Sequence, residues 1–406
     1  MNWPGSEPVP PKVRIHFPAL AEVVVACKPE WASFVREDGG MVVELQKALY
    51  GLKESARLWY LQISGVLQQL GLRQSQADKC LFTSESLSVC LYVDDMLLIG
   101  EDRPKRDLIN ALKQTYELTE KHGDVLKYLG MRVRVTKSGV YLSNPDMIDQ
   151  IVRDFEVEND TPAPTPATDA IFAEHTGDPT KGDVYLSWVM RLVFLSRIRP
   201  DIKFASGYLA RQREPTESDL HHVKRIARYL KGTRDLELSL TPGDQGLTIQ
   251  ASADASYVAT WDAKSISGNA VWLGGTSLVH ASSRTQKLTA KSSCEAELYA
   301  LNDVVDEVLW LRYLMEDLGH KQEQPTVVQQ DNQATIRLAV SGPGSHGKTK
   351  HVNVRAWSVK DHLDAKELVL AYTPTDRIVA DGFTKPLTGT PFVTWRDRFL
   401  TPQRRP

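Results

Sequence analysis

The sequence predicts a multidomain chain of α+β and α/β class, and three observations lead to this prediction. Helical and strand-like segments alternate over residues 13–155. Residues 156–183 are acidic, contain Pro162, Pro164 and Pro166, and show no apolar period. From Leu247 onward the pattern is three strands, a long helix and further strand–helix units. A chain of 406 residues is long enough for two or three separate cores.

The first part of the chain divides into a lead-in and a mixed domain. Residues 1–12 carry four prolines and are expected to be disordered. In residues 13–155, "EDGG" is a turn, and the helix that follows is expected to end at Gly71. "CLFTSESLSVCLYVDDMLLIG" predicts three short strands, and Ser138-Gly139 predicts a hairpin turn.

The second part is expected to hold two further domains. We expect residues 156–183 to be a connector and residues 184–245 a basic helical domain. Residues 246–390 follow as a domain with a mixed sheet and flanking helices, and residues 391–406 as a tail. No internal repeat of fixed period is present.

Charge is balanced overall but not locally. The net charge is −2, so the whole chain is not a general binder of polyanions. Residues 191–234 nevertheless hold eleven Lys or Arg against four Asp or Glu, a net of +7. This excess favours contact with nucleic-acid phosphates, and a solvated helix face is the alternative. The candidate residues are Arg211, Arg213, Lys224, Arg225, Arg228 and Lys231.

Cysteine usage and hydropathy bear on the compartment. The four cysteines show no CxxC spacing, which favours reduced thiols in an intracellular protein. No apolar run has the length of a membrane span, and the first residues do not resemble a signal peptide. We therefore expect a cytoplasmic or nuclear protein without a membrane partner.

Four acidic residues recur at element boundaries in residues 246–390. Asp254 lies within a strand, Glu297 on a helix, Asp331 at a strand end and Asp381 at a helix start. Each has an ordinary alternative, as a helix cap, a turn former or a solvated charge. Together, in a β-β-β-α-β-α-β-α series, such carboxylates can converge on two Mg²⁺ ions about 4 Å apart for phosphodiester cleavage.

Nine segments occur in one order along the chain: "KALYGLKESARLWY", "LYVDDMLLIG", "KYLGMRV", "RPDIKFASGYLAR", "RIARYLKGT", "SSCEAELYAL", "DNQATI", "TKHVNVR" and "ADGFTKPL". This series resembles the Pol polyproteins of copia-type LTR retrotransposons, from about Val13 to Leu387. The resemblance implies a reverse transcriptase palm, a thumb or tether over the basic helices, and an RNase H-like domain with a mixed five-stranded sheet.

The resemblance also implies roles for the four acids. Asp254, Glu297, Asp331 and Asp381 match the family's RNase H metal ligands. In "CEAEL" the second glutamate, Glu297, matches the active-site position. The implied cofactor is Mg²⁺ in a two-metal site, with Mn²⁺ as a possible substitute, and the implied partner is an RNA–DNA hybrid.

The adjacent acids Asp94 and Asp95 resemble the catalytic pair of the polymerase palm hairpin. Without the neighbouring motifs, an ordinary turn would explain them. Tyr50, Gly51 and Lys53 match the family's nucleotide and template side. The family's further catalytic aspartate belongs to a strand upstream of this sequence, so we expect a truncated palm and an incomplete polymerase.

The sequence therefore predicts the reverse transcriptase and RNase H portion of a copia-type Pol. Mg²⁺-dependent hydrolysis of RNA in RNA–DNA hybrids is the activity expected to remain. The alternatives are a nucleic-acid-binding remnant without catalysis and a pseudogene product that does not fold stably.

Overall fold

The computed structural model describes residues 14–17, 21–44, 52–173, 177–342 and 350–403. The predicted lead-in at residues 1–12 lies outside them. The chain forms two compact units. The first comprises Met1–Gln74 and Lys79–Asn110, and the second comprises Ser75–Asp78 and Ala111–Pro406.

The first unit contains a four-stranded antiparallel sheet in the order β3-β4-β5-β6. In β5 every second residue is buried, as expected for a strand with one face on a core. A separate pair is formed by β1 and β2. The elements are β1 (Arg14–Phe17), α1 (Ala21–Cys27), β2 (Met41–Glu44), α2 (Lys53–Gln69), β3 (Arg73–Gln74), β4 (Leu81–Thr83), β5 (Leu87–Tyr92), β6 (Asp95–Gly100) and most of α3 (Asp102–Lys113).

The second unit begins with an antiparallel sheet in the order β16-β10-β9-β8-β7, accompanied by four helices. A capping box at Thr216 and Asp219 starts the longest of these helices. The elements are β7 (Val125–Tyr128), β8 (Met131–Thr136), β9 (Gly139–Ser143), α4 (Pro145–Asp154), α5 (Gly182–Leu195), α6 (Lys203–Leu209), α7 (Glu217–Gly232) and β10 (Leu236–Leu240). Among the described residues, no helix combines the length and apolarity that crossing a bilayer requires.

A second five-stranded sheet follows in the order β13-β12-β11-β14-β15. The first three strands pair antiparallel, whereas β14 and β15 are parallel to β11. This confirms the predicted mixed sheet with flanking helices. The elements are β11 (Ile249–Ser256), β12 (Ile266–Leu273), β13 (Ser277–Thr285), α8 (Ser293–Asp317), β14 (Thr326–Gln330), α9 (Gln333–Ser341), α10 (Lys350–Asp364), β15 (Leu368–Tyr372), α11 (Gly389–Arg396) and β16 (Leu400–Pro402).

The two largest apolar cores among the described residues of the second unit lie one on each face of the mixed sheet. One lies between α8 and the sheet and includes Ala251, Val271 and Val328. The other joins the opposite face of β12 and β13 to α4–α7, α11 and β16. It includes residues from Ile148 to Leu400.

The second core differs from two sequence-based expectations. Within the predicted connector, Val157, Ala163 and Ile171 are buried in this core. Residues 391–406 were expected to form a tail, but α11 and β16 lie there, and Phe392 and Trp395 pack into the same core. Isolated apolar residues supply this burial without a helical or strand period, so no sequence pattern predicts it. The predicted domain boundaries stay predictions.

Candidate active site

Asp254 lies near the end of β11, the central strand of the mixed sheet. It pairs in register with Gly268 on β12. A Cβ at Gly268 would lie 2.6 Å from the carbonyl oxygen of Ala380, so only glycine lets the segment after β15 approach the sheet this closely. That approach brings the Thr384 hydroxyl to 2.5 Å from Asp254 Oδ2, to which it donates. Asp254 is 5% exposed.

The start of α8 separates the roles of its two glutamates. The Ser292 hydroxyl accepts a hydrogen bond from the backbone N–H of Glu295, which caps the helix. Glu295 in turn accepts from the backbone N–H of Lys291 and from the Tyr299 hydroxyl. Glu295 is therefore part of the helix start, whereas Glu297, one half-turn further on, is directed to the carboxylate cluster.

Side chains next to the cluster donate hydrogen bonds to Glu297 and Asp331, and the backbone of Ala255 also donates to Glu297. Gln330, the last residue of β14, donates from Nε2 to Glu297 Oε2 at 3.3 Å. Asp331 follows immediately and accepts from the Thr375 hydroxyl at 2.6 Å. Parallel pairing of β14 with β11 places Asp331 at the same sheet edge as Asp254.

The structure brings three of the four predicted acids together directly. One carboxylate oxygen from each of Asp254, Glu297 and Asp331 lies within 4.8 Å of the others. Asp381, on the 3₁₀ helix Val379–Phe383, is outside that triad but close enough for its charge to act on Asp254. Its Oδ1 pairs with Lys385 Nζ at 2.6 Å.

Burial and mutual repulsion make this cluster costly without a cation. Burial, reinforced by the charges of Asp254 and Asp331, raises the pKa of Glu297 to about 9. Burial raises the pKa of Asp254 to about 6, with Asp381 and Asp331 adding to the rise. Burial also raises the pKa of Asp381. A divalent cation would offset these charges, and an all-oxygen ligand set fits a hard ion such as Mg²⁺.

Asp94 and Asp95 lie at the turn between β5 and β6. Tyr92 pairs with Asp95, which leaves Val93 and Asp94 as a two-residue loop. Val93 has φ +54°, an unusual conformation for a β-branched residue, and its carbonyl oxygen accepts a hydrogen bond from Trp59 Nε1 at 2.6 Å. Both aspartates are exposed.

Within the described part of the chain, no third histidine, cysteine or acidic residue joins these two in a group of metal-binding size. Tyr50 and Gly51, predicted on the nucleotide and template side, lie outside the described residues. Lys53 begins α2, and its side chain is likewise outside them.

The predicted nucleic-acid-binding cations have several internal partners. Lys231 Nζ donates to the carbonyl oxygen of Asp160 at 2.8 Å and also to that of Glu158. Arg211 pairs with Asp262 at 2.5 Å. Lys224 forms an ion pair with Glu156 at 3.7 Å. Arg225 donates to the Thr165 hydroxyl at 3.1 Å. Arg213 is exposed.

Comparison with known proteins bears on the whole chain. The family described as reverse transcriptase (RNA-dependent DNA polymerase) matches residues 19–169. The Pol polyprotein of transposon RE2 from Arabidopsis thaliana is 30% identical over 383 residues, which cover 91% of this chain and 26% of that protein. The chain belongs to the copia-type retrotransposon Pol family.

A second member of the copia-type Pol family aligns with a similar share of the chain. The Pol polyprotein of transposon TNT 1-94 from Nicotiana tabacum is 28% identical over 363 residues, which cover 85% of this chain and 27% of that protein. This chain thus spans about a quarter of the length of these curated relatives. A foamy viral protease–reverse transcriptase in complex with RNA/DNA hybrid overlaps with a TM-score of 0.48 at 12% identity, over 83% of this chain and 40% of that one.

Sequence reasoning missed the donors that orient the carboxylates. Thr375, Thr384, Gln330 and Lys385 each contact one acid of the cluster. Thr384 and Lys385 lie in the "ADGFTKPL" segment, three and four residues after Asp381, so their spacing offered a signal. No sequence signal pointed to Thr375, since a threonine shortly after a strand is common and has many roles other than donating to an active-site acid.

Proposed function

We propose that this copia-type Pol chain is a Mg²⁺-dependent ribonuclease H, which hydrolyses the RNA strand of an RNA–DNA hybrid. The observation that carries the proposal is the convergence of Asp254, Glu297 and Asp331 at one edge of the mixed sheet. Asp381 beside them would complete a set of four ligands. Mg²⁺ bound there would supply an activated water and offset the charge on the leaving oxygen.

The chain's own residues supply the geometry for this reaction. Thr384 and Thr375 fix the carboxylates of Asp254 and Asp331, and Gln330 fixes that of Glu297. Donors to ligand carboxylates typically change metal affinity about 10- to 100-fold when removed. In the reaction, water adds to phosphorus, the bond from phosphorus to the leaving sugar oxygen breaks, and that oxygen takes up a proton.

Cleavage of an end-labelled RNA–DNA hybrid with Mg²⁺ tests the proposal. We expect the wild type to cleave the RNA strand and Asp331→Asn to lose cleavage while keeping its circular dichroism spectrum. Asp244→Asn, at an exposed loop aspartate, is the matched control and should cleave as the wild type does. A folded wild type that binds the hybrid without cleaving it would favour the nucleic-acid-binding remnant instead.

Template-directed DNA synthesis is a second candidate function. It is favoured by the Asp94–Asp95 hairpin, whose strained turn is held by Trp59, and by the reverse transcriptase match over the same residues. The expectation that the polymerase is incomplete stays a prediction. Primer extension on an RNA template tests it, and extension that Asp95→Asn abolishes would contradict it.

A further inference from the structure

Lys203, the first residue of α6, carries a positive charge that no described acidic side chain pairs with. Its side chain is half-buried, and α6 packs against β13, where a Cβ at Gly207 would lie in ordinary van der Waals contact, 3.4 Å from the carbonyl oxygen of Ser283. Among the described residues, the ammonium has neither an ion-pair nor a hydrogen-bond partner. Its charged neighbours are Arg197 and Arg284, both of which are exposed.

This arrangement raises the energy of the ligand-free protein. Burial, together with the two guanidinium charges, lowers the pKa of Lys203 to about 8. Nearby, His280 Nε2 is buried and has no hydrogen-bond partner in the part of the chain that the structure describes, and His280 Nδ1 lies 3.6 Å from Glu307 Oε2. An unpaired buried cation costs free energy unless a ligand compensates it.

Carboxylates from α8 also face this cluster, but they serve other groups. Asp303 lies where the charge of Arg284 acts on it, and Glu307 is beside His280. Among the described residues, neither carboxylate pairs with Lys203. The positive charges of Lys203, Arg197 and Arg284, which act on one another, would favour an anion beside Lys203.

The register of the sheet relates this cluster to the carboxylates. Asp254 pairs with Gly268, and Gly268 pairs with Ser283, the residue before Arg284. Two strand spacings, or about 9.6 Å, separate the backbones of Asp254 and Ser283, and Arg284, one residue further along, projects from the opposite face of β13. A nucleic-acid duplex carries one phosphate per strand about every 3.4 Å along its axis, so a duplex cleaved at Asp254 would present further phosphates at this distance.

We propose that Lys203, Arg197 and Arg284 form a phosphate-binding site that holds the backbone of the RNA–DNA hybrid two strands away from the carboxylate cluster. This inference rests on the proposed function, because it takes the hybrid as the ligand. The contact is to phosphate and is therefore independent of base sequence and sensitive to salt.

Binding of a fluorescent RNA–DNA hybrid, measured by anisotropy in EDTA over a series of salt concentrations, tests the proposal. Lys203→Met should weaken binding and reduce the slope of log K against log salt by about 1. Lys203→Arg should retain the wild-type slope. Arg284→Met should behave as Lys203→Met does, and Lys121→Met, at an exposed lysine, should leave the slope unchanged.

A second measurement separates a binding role from a structural one. Thermal unfolding of the free protein should show a higher Tm for Lys203→Met than for the wild type, because an unpaired half-buried charge is removed. Unchanged binding, or a lower Tm, would overturn the proposal. If the wild type does not cleave the hybrid but Lys203→Met still reduces the slope, this site stands and the nuclease assignment fails.

Discussion

Replacing Asp254 by asparagine removes one charge from the carboxylate cluster while keeping the shape of the side chain. In the metal-free protein this charge is unfavourable, because Asp254 is buried beside Asp381 and Asp331. The amide can still accept the hydrogen bond from Thr384. We therefore expect Asp254→Asn to stabilise the metal-free protein and to abolish its response to Mg²⁺.

The size of the effect follows from the pKa of Asp254. Raising a carboxyl pKa from 3.8 to about 6 costs about 3 kcal/mol of stability at pH 7. Because the raised pKa belongs to the folded state, this cost is absent below about pH 4, grows as the pH rises and is complete above pH 6. The gain in Tm from Asp254→Asn should thus be near zero at pH 4 and about 5 °C at pH 7.

Thermal unfolding in EDTA and in Mg²⁺ measures both consequences. In Mg²⁺ at 100 times its Kd, the wild type should gain about 2.7 kcal/mol and Asp254→Asn almost nothing. Asp244→Asn, at an exposed loop position, is the control and should follow the wild type in both conditions. An Asp254→Asn protein that is less stable than the wild type in EDTA at pH 7, with Asp244→Asn unchanged, would refute the reasoning.

Two further predictions concern side chains with well-defined hydrogen-bond partners. Thr375→Val removes the donor to Asp331 and should weaken Mn²⁺ binding, measured by calorimetry, about 10-fold. Thr375→Ser keeps the hydroxyl and should bind Mn²⁺ as the wild type does. If the valine variant bound Mn²⁺ with wild-type affinity, Thr375 would not orient Asp331. Asp201→Asn breaks the ion pair with Arg199, a side chain that is 1% exposed and donates two hydrogen bonds to Asp201. This change should lower the free energy of unfolding, measured by urea denaturation, by about 3 kcal/mol. Asp235→Asn, at a half-exposed aspartate, should change it by less than about 0.5 kcal/mol, and a similar loss in both variants would count against the buried pair.

The positions of the acids could be predicted from the sequence, whereas the groups that orient them could not. Asp254 lies near the end of a strand and Asp331 directly after one, both strands have a recognisable sequence pattern, and parallel pairing brings the two strand ends together. The partners of these acids, Thr384 and Thr375, come from 130 and 44 residues further along the chain. Such long-range contacts depend on how the segment after β15 closes over Gly268.

The basic helices show a second limit of sequence reasoning. A local charge of +7 predicts phosphate contact only if the cations are free to make it. Lys231 instead donates to carbonyl oxygens of residues 158 and 160, and Arg211 pairs with an aspartate 51 residues away. Composition counts charges but not their partners, so the roles of these residues stay predictions.

The core that runs from α4 to β16 limits how this chain can be rearranged by recombination. It places Tyr229 of α7 against Phe392 of α11, with ring centroids 5.6 Å apart, and Trp272 of β12 near Phe399. A recombination crossover near residue 245 would separate residues whose side chains pack against one another in this core. A mixed-sheet segment exchanged there would meet an apolar surface that does not match its own. A segment exchanged by recombination would therefore keep this core only if it began before α4 and ended after β16.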